Sequence, residues 1–259
     1  MAERPDLVVV DAGNSHMVFG FFRGAELVRS VRVATSRDRT ADELGALLVP
    51  LMERFGIEPE ALEGVMIASV VPPVNATLAQ LSKAFFGHEA LFVEPGVKTG
   101  MPIRYDNPAE VGADRIVNAV AARERWGAPV VVVDFGTATT FDIVSPKGEY
   151  VGGVIAPGLA ISAEALFSRA SRLFRVDIRR PDRLVGKTTA GAMQSGLYWG
   201  YVGLVEGILS RLESELPGLE RVVATGGQAG LIAAAVPRID EVEPDLTLEG
   251  LRLIWERNR

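Results

Sequence analysis

Val131-Val132-Val133-Asp134-Phe135-Gly136-Thr137-Ala138-Thr139-Thr140-Phe141-Asp142 decides how the chain is read. Its run of valines belongs on a buried strand, an aspartate stands at the strand's end, Gly136-Thr137 supplies a turn, and a second strand follows over 140–144. The same arrangement stands 123 residues earlier: Val8-Val9-Val10-Asp11-Ala12-Gly13-Asn14-Ser15 repeats the valines, the aspartate and the glycine. That offset is close to half of the 259 residues. Two strand–Asp–x–Gly hairpins predict a duplicated α/β fold with domains of 1–120 and 121–259. Its two acidic tips face one central cleft, and the glycines let backbone N–H groups approach a phosphate.

Working outward, residues 7–33 read as a β-meander (7–11, 16–22, 26–33) with a turn at Arg23-Gly24-Ala25. Thr40 and Glu43 have the capping-box spacing and open a helix to about residue 55. A strand over 64–71 stops at Pro72-Pro73, a helix follows from about 74 to 86, and a short strand covers 90–93, so this half reads βββαβαβ. Asn107-Pro108-Ala109-Glu110 carries the strongest helix-start signal in the chain and predicts a helix to Trp126, with Asp114 and Arg115 near its positive end. In the second half a third strand over 150–155 leads to a helix over 160–170 and an irregular segment over 171–187. The longest helix is predicted over 189–216. Gly196, Gly200, Gly203 and Gly207 share one of its faces, which implies close packing against another helix, either within the domain or across a homodimer. Arg221 to Gly227 is a strand entering a double glycine, which suits either a nucleotide edge or a tight turn before the helix predicted over 229–236.

Composition narrows the function. Hydrophobic residues make up 48% and charged ones 23%, as for a globular protein with a substantial core. A net charge of −6 gives no general attraction to nucleic acid, and the short arginine clusters at 172–180 read as solvated loop. With no cysteine, thiol catalysis, disulfides and zinc–thiolate sites are excluded, and a reducing cytoplasm suits the chain. Residues 1–6 show no targeting segment and no apolar stretch is long enough to span a membrane, so a cytoplasmic location is expected. Gly186-Lys187-Thr188 resembles the end of a P-loop, but Pro181 stands where that loop needs glycine. Motifs of dinucleotide-binding folds, zincins and α/β-hydrolases are absent. His88 reads as a solvated loop residue, while His16 adjoins the first acidic turn.

What remains is Asp11, Asp114, Asp134 and Asp142 together with glycine-rich turns. Phosphoryl transfer asks for that combination, because its loose transition state needs positioning and charge neutralisation more than a strong nucleophile. Mg²⁺ takes oxygen ligands and keeps several waters, which suits carboxylates at hairpin tips, and a further carboxylate at a helix start can accept a hydroxyl proton. Such a base needs only an ordinary carboxylate pKa, near 4.

In these motifs the sequence resembles the type III pantothenate kinase family, within the superfamily of acetate and sugar kinases, Hsp70 and actin. The resemblant segments are Asp11 to Gly20, with Ser15 where threonine is more usual; Tyr105 to Arg115; Asp134 to Thr140; Gly152 to Gly158; Thr189 with Met193 to Gly196; and Ala224 to Gly227. The resemblance implies a duplicated actin-like ATPase (ribonuclease H-like) fold, two βββαβαβ-type domains around a central cleft. The implied activity is transfer of the ATP γ-phosphoryl group to the primary hydroxyl of pantothenate, the first step toward coenzyme A.

By the same resemblance Asp114 is the general base, and Tyr105, Gly112, Ala113, Asp114, Arg115 and Thr189 bind pantothenate. ATP is bound by Asp11, Ala12, Gly13, Asn14, Ser15, His16, Met17 and Val18 with Thr137. Asp11 meets Mg²⁺ through water, and Asp134 binds a monovalent cation, K⁺ or NH₄⁺. The family forms homodimers, which favours the dimer alternative for the glycine face. Neither nucleic acid nor membrane is an expected partner.

Overall fold

Residues 7–10 are all apolar, and β1 (Leu7–Ala12) is accordingly buried on both faces, in the middle of a five-stranded sheet. It pairs antiparallel with β2 (His16–Arg23), which pairs antiparallel with β3 (Glu26–Ala34). On its other side it runs parallel to β4 (Gly64–Ser69), itself parallel to β5 (Ala90–Phe92), giving the order β3-β2-β1-β4-β5. The structure, a computed structural model, describes residues 7–259. The expectation that residues 1–6 carry no targeting segment lies outside them.

Parallel neighbours require crossovers. These are α1 (Ala41–Arg54) and α2 (Pro72–Phe85), whose Leu44, Leu48, Met52, Val74 and Leu78 form a core with Val8, Val10, Phe19 and Phe21. The predicted capping box is present: Glu43 N–H donates to Thr40 Oγ1 at 3.2 Å, and Thr40 N–H donates to the Glu43 carboxylate at 2.7 Å. The strand expected over 64–71 ends earlier, at Ser69, and the Pro72-Pro73 pair opens α2, since proline lacks only an N–H that the first helical turn leaves unused.

The helix expected from Asn107 starts later. Pro108–Glu110 is a single 3₁₀ turn, Val111 is extended, and α3 (Ala113–Trp126) begins only at Ala113. Asn107 spends its side chain on Glu110, Nδ2 to Oε1 at 2.8 Å, so both supposed capping groups satisfy each other and not the backbone. Asp114 therefore lies in the true first turn of a helix.

The second sheet repeats the first. It comprises β6 (Val130–Phe135), β7 (Ala138–Val144), β8 (Tyr150–Pro157), β9 (Arg221–Thr225) and β10 (Glu241–Val242). Taken from the β8 end, its order β8-β7-β6-β9-β10 has the same sequence of antiparallel and parallel pairings as β3-β2-β1-β4-β5. Asp11 and Asp134 hold equivalent places: Asp11 is opposite Val18 and Ala68, Asp134 opposite Thr140 and Thr225. α4 (Leu159–Arg169), α5 (Thr189–Glu215) and α6 (Ala229–Ala233) complete this half, α6 being shorter than the expected 229–236. One face of α5, with Tyr198, Tyr201, Val202, Val205 and Leu209, packs on Val131, Val133 and Phe141. Its glycine face does not pack within the domain: a Cβ added at Gly196, Gly200 or Gly203 would meet nothing within 4 Å among the described residues.

α7 (Leu246–Glu256) departs from the expected second domain of 121–259. The chain divides into one unit containing residues up to Met101, Tyr105–Ala121 and Leu246–Arg259, and another of Pro102–Arg104 and Ala122–Asp245. The last helix thus returns to the first sheet. Gly64 of β4 leaves room for Trp255, whose ring would lie 2.1 Å from an added Cβ, and Gly250 sits where a Cβ would be 2.2 Å from the Val117 carbonyl oxygen of α3.

Candidate active site

In the first unit Asp11 lies one residue from the end of β1, and Gly13, Asn14 and Ser15 form the turn into β2, which starts with His16, Met17 and Val18. The turn is held from a distance. Gly13 N–H donates to the His16 carbonyl at 3.0 Å, Thr35 Oγ1 donates to the Gly13 carbonyl at 2.6 Å, and Thr35 N–H donates to the Ser15 carbonyl at 3.0 Å. Asn14, Ser15 and His16 remain exposed. The result is a rigid, open turn with a carboxylate at its root, able to present N–H groups to a phosphate.

Asp114 reaches the same end of this sheet. Val70, just beyond β4, donates its N–H to the Ala12 carbonyl at 3.1 Å, and an added Cβ at Gly112 would lie 3.5 Å from Val70 Cγ1 and 2.6 Å from Asp114 Oδ1. The carboxylate is therefore folded back over Gly112, beside the strand end that carries Asp11. Burial pushes the Asp114 carboxyl above its usual range, while the Arg115 N–H, 2.8 Å from Oδ1, and the Arg115 charge pull the other way. This corrects the expectation of an ordinary carboxylate. A raised pKa makes the group a stronger proton acceptor once ionised. Ala113 and Arg115 are buried around it, and Tyr105 lies half-buried in the loop before the 3₁₀ turn.

In the second unit Asp134 lies one residue from the end of the equivalent strand. Gly226, at φ +91°, closes on it: a Cβ there would lie 2.5 Å from Asp134 Oδ1, so the double glycine adjoins the carboxylate and only glycine fits. Thr137 sits in the β6–β7 turn. Its carbonyl accepts the Gly158 N–H at 3.1 Å, and a Cβ on Gly158 would be 2.1 Å from that oxygen. The buried Thr139 hydroxyl bonds the Tyr201 hydroxyl of α5, which donates to the Pro157 carbonyl at 3.1 Å. Thr189 is the first residue of α5 and is exposed. Gly186-Lys187-Thr188 is the entry to this helix: Thr188 Oγ1 accepts the Gly191 N–H at 3.1 Å.

Two other residues take structural places. Asp142 is fully buried, accepting from Tyr150 Oη at 2.9 Å and Thr140 Oγ1 at 2.8 Å, so it does not join the half-buried aspartates at the strand and helix ends. His88 stands in a loop as expected but is half-buried and not solvated, its Nε2 lying 2.7 Å from the Leu62 carbonyl. The residues that sequence reasoning missed, Thr35 and Tyr201, act on turns far from them in the chain.

The donor sets fit the ions of phosphoryl transfer. Mg²⁺ needs one or two carboxylates besides phosphate and water, and Asp11 offers one at an open turn. Among the described residues no group of three or more acidic or histidine side chains forms an all-protein cage. At Asp134 the neighbouring Thr140 and Thr225 add hydroxyl oxygens on the same face, as a monovalent cation requires. No helix among the described residues is long and apolar enough to cross a membrane.

A duplicated sheet of this order is the fold of the actin, Hsp70 and sugar kinase superfamily. Inorganic polyphosphate/ATP-glucomannokinase from Arthrobacter sp. strain KM shares it, with a TM-score of 0.51 and 14% identity over 99% of this chain and 100% of that one. Within that superfamily the chain belongs to the type III pantothenate kinase family, whose model matches residues 7–211. It is 53% identical to the type III pantothenate kinase of Koribacter versatilis (strain Ellin345), over 98% of this chain and 96% of that protein. With that of Geobacter sulfurreducens (strain ATCC 51573 / DSM 12127 / PCA) it shares 54% identity, over 98% and 99%.

Proposed function

We propose that this chain, a kinase that transfers the γ-phosphoryl group of ATP to pantothenate and yields 4′-phosphopantothenate, uses Asp114 as its general base. Asp114 takes the proton of the primary hydroxyl as that oxygen bonds to the γ-phosphorus and the bond to ADP breaks. The observation that carries this assignment is the fold-back of Asp114 over Gly112, against Val70 and beside the Ala12 end of β1. It supports a base placed next to the turn that receives the phosphates.

Asp11 to Val18 and Thr137 bind ATP, the Asn14–Ser15 part of the turn through backbone N–H groups. Tyr105, Gly112, Ala113, Arg115 and Thr189 bind pantothenate. Mg²⁺, held by Asp11 through water, supplies charge neutralisation on the phosphates, and Asp134 holds K⁺ or NH₄⁺. The active species is a homodimer in which the open glycine face of α5 meets its counterpart; close approach of two backbones offsets the roughly 1 kcal/mol that each glycine costs a helix. The test is transfer of label from γ-labelled ATP to pantothenate at constant ionic strength, with and without KCl. Labelled phosphopantothenate that depends on K⁺ supports the assignment. Hydrolysis of ATP without labelled product refutes it.

A further inference from the structure

The β6–β7 turn that carries Thr137 is held by a chain of groups none of which touches ATP in the assignment above. Tyr201 is buried in α5, twelve residues after Thr189, and its ring lies 6.5 Å from that of Phe135. The Tyr201 hydroxyl has one proton, and the Pro157 carbonyl, 3.1 Å away, can only accept. The partner bond therefore runs from Thr139 Oγ1–H to the Tyr201 oxygen. Proton order along the relay is fixed: Thr139 donates to Tyr201, and Tyr201 donates to Pro157.

Each end of this relay is one or two residues from a backbone contact that shapes the turn. Thr139 is two residues after Thr137. Pro157 precedes Gly158, whose N–H holds the Thr137 carbonyl at 3.1 Å and whose missing side chain admits that carbonyl and that of Gly136. Burial raises the Tyr201 pKa, so the phenol stays protonated and the relay intact across the neutral range. An uncharged phenol this far inside the core has no proton to exchange with substrate. Its chemistry is to fix distances.

We infer that Tyr201 is a positioning residue for phosphoryl transfer, locking the Gly136–Thr137 turn onto Pro157-Gly158 through Thr139 and so setting where the second phosphate contact to ATP falls. Because α5 begins at Thr189, the same helix that carries a pantothenate contact braces the ATP contact. The inference rests on the assignment of Thr137 to ATP.

Tyr201→Phe removes one hydroxyl and keeps the ring. Losing one neutral hydrogen bond at a positioning site should raise KM for ATP about fivefold or more and lower kcat, on the usual ~1 kcal/mol per bond. KM for pantothenate should stay within about twofold, as expected of a change confined to the ATP side. Thr139→Val should reproduce the effect, Thr139→Ser should restore it, and Tyr201→Phe with Thr139→Val should be no worse than either alone. A merely structural tyrosine would instead lower thermal stability and leave both KM values unchanged, or shift them equally, and either result overturns the inference. Thr137→Ala separates it from the assignment beneath. If Thr137→Ala raises KM for ATP and Tyr201→Phe does not, the relay falls and Thr137 keeps its role; if neither does, both fall.

Discussion

Replacing Asp114 with Asn isolates basicity from shape. The amide keeps an oxygen to accept the Arg115 N–H that now lies 2.8 Å from Oδ1, and it keeps the bulk folded over Gly112, so the site geometry survives. What goes is the proton acceptor. General base catalysis typically contributes about 10²- to 10⁴-fold, or roughly 2.7 to 5.5 kcal/mol of barrier, and kcat should fall by that factor. Stability should respond in the opposite sense. Since burial raises the Asp114 pKa, its contribution to folding is full below the unfolded value and is lost as pH rises through the folded one. At neutral pH the ionised group is therefore unfavourable, and the Asn variant should melt no lower than the parent. The wild-type rate should also show an acid limb above the ordinary Asp value of about 3.9, absent from the variant. The assay is ADP release at saturating pantothenate from pH 5 to 8, with calorimetric melting beside it. Turnover within about tenfold of the parent, or an acid limb unchanged by the substitution, would refute the assignment of Asp114.

Two further outcomes are expected. Asp134→Asn should abolish stimulation by K⁺, measured as rate against KCl with ionic strength held constant; an unchanged response would place the cation elsewhere. Gly203→Leu should convert the proposed dimer to monomer in sedimentation velocity while gaining roughly 0.8–1 kcal/mol of helix propensity, because a Cβ there meets nothing within 4 Å among the described residues. A dimer of undiminished affinity would mean that this face is not the interface.

Local signals made much of the fold legible. The two Val-Val-Val-Asp runs give the central strands of both sheets, and the spacing of Thr40 and Glu43 gives a real capping box. The same kind of signal misleads at Asn107, because a side-chain pair that fits a cap can close on itself: Asn107 and Glu110 do so, and the helix waits for Ala113. α7 was not legible at all. Leu246, Leu248, Leu251 and Ile254 are buried, their helix packs on β1 and β4 from the other end of the chain, and the glycines that admit it, Gly64 and Gly250, carry meaning only once Trp255 and Val117 are known to face them. At the site, carboxylates at strand ends can be read from sequence because the strand itself is readable. Thr35 and Tyr201 cannot, since each holds a turn that lies far from it in the chain. Asp142 looked like a further acidic tip, but it stands two residues beyond Thr140 on the inward course of β7, where Tyr150 and Thr140 satisfy it.

Duplication placed two aspartates alike, and their strand neighbours make them unlike. Residues opposite one another on adjacent strands project from the same face of a sheet. Asp11 has Val18 and Ala68 beside it, neither of which offers a side-chain oxygen, and it adjoins the open Gly13–Ser15 turn. A strongly hydrated Mg²⁺ that keeps its waters suits such a place. Asp134 stands between Thr140 and Thr225, a carboxylate flanked by hydroxyls. Thr140 donates its proton to Asp142 at 2.8 Å, which leaves its oxygen lone pairs for another partner. Gly226 closes over the row with no side chain to fill it. Several fixed oxygens that replace water suit a weakly hydrated monovalent ion. The fully buried Asp142 takes the Thr140 proton and leaves the Thr140 oxygen as an acceptor beside Asp134, which supports the division of the two cations between two halves built on one plan.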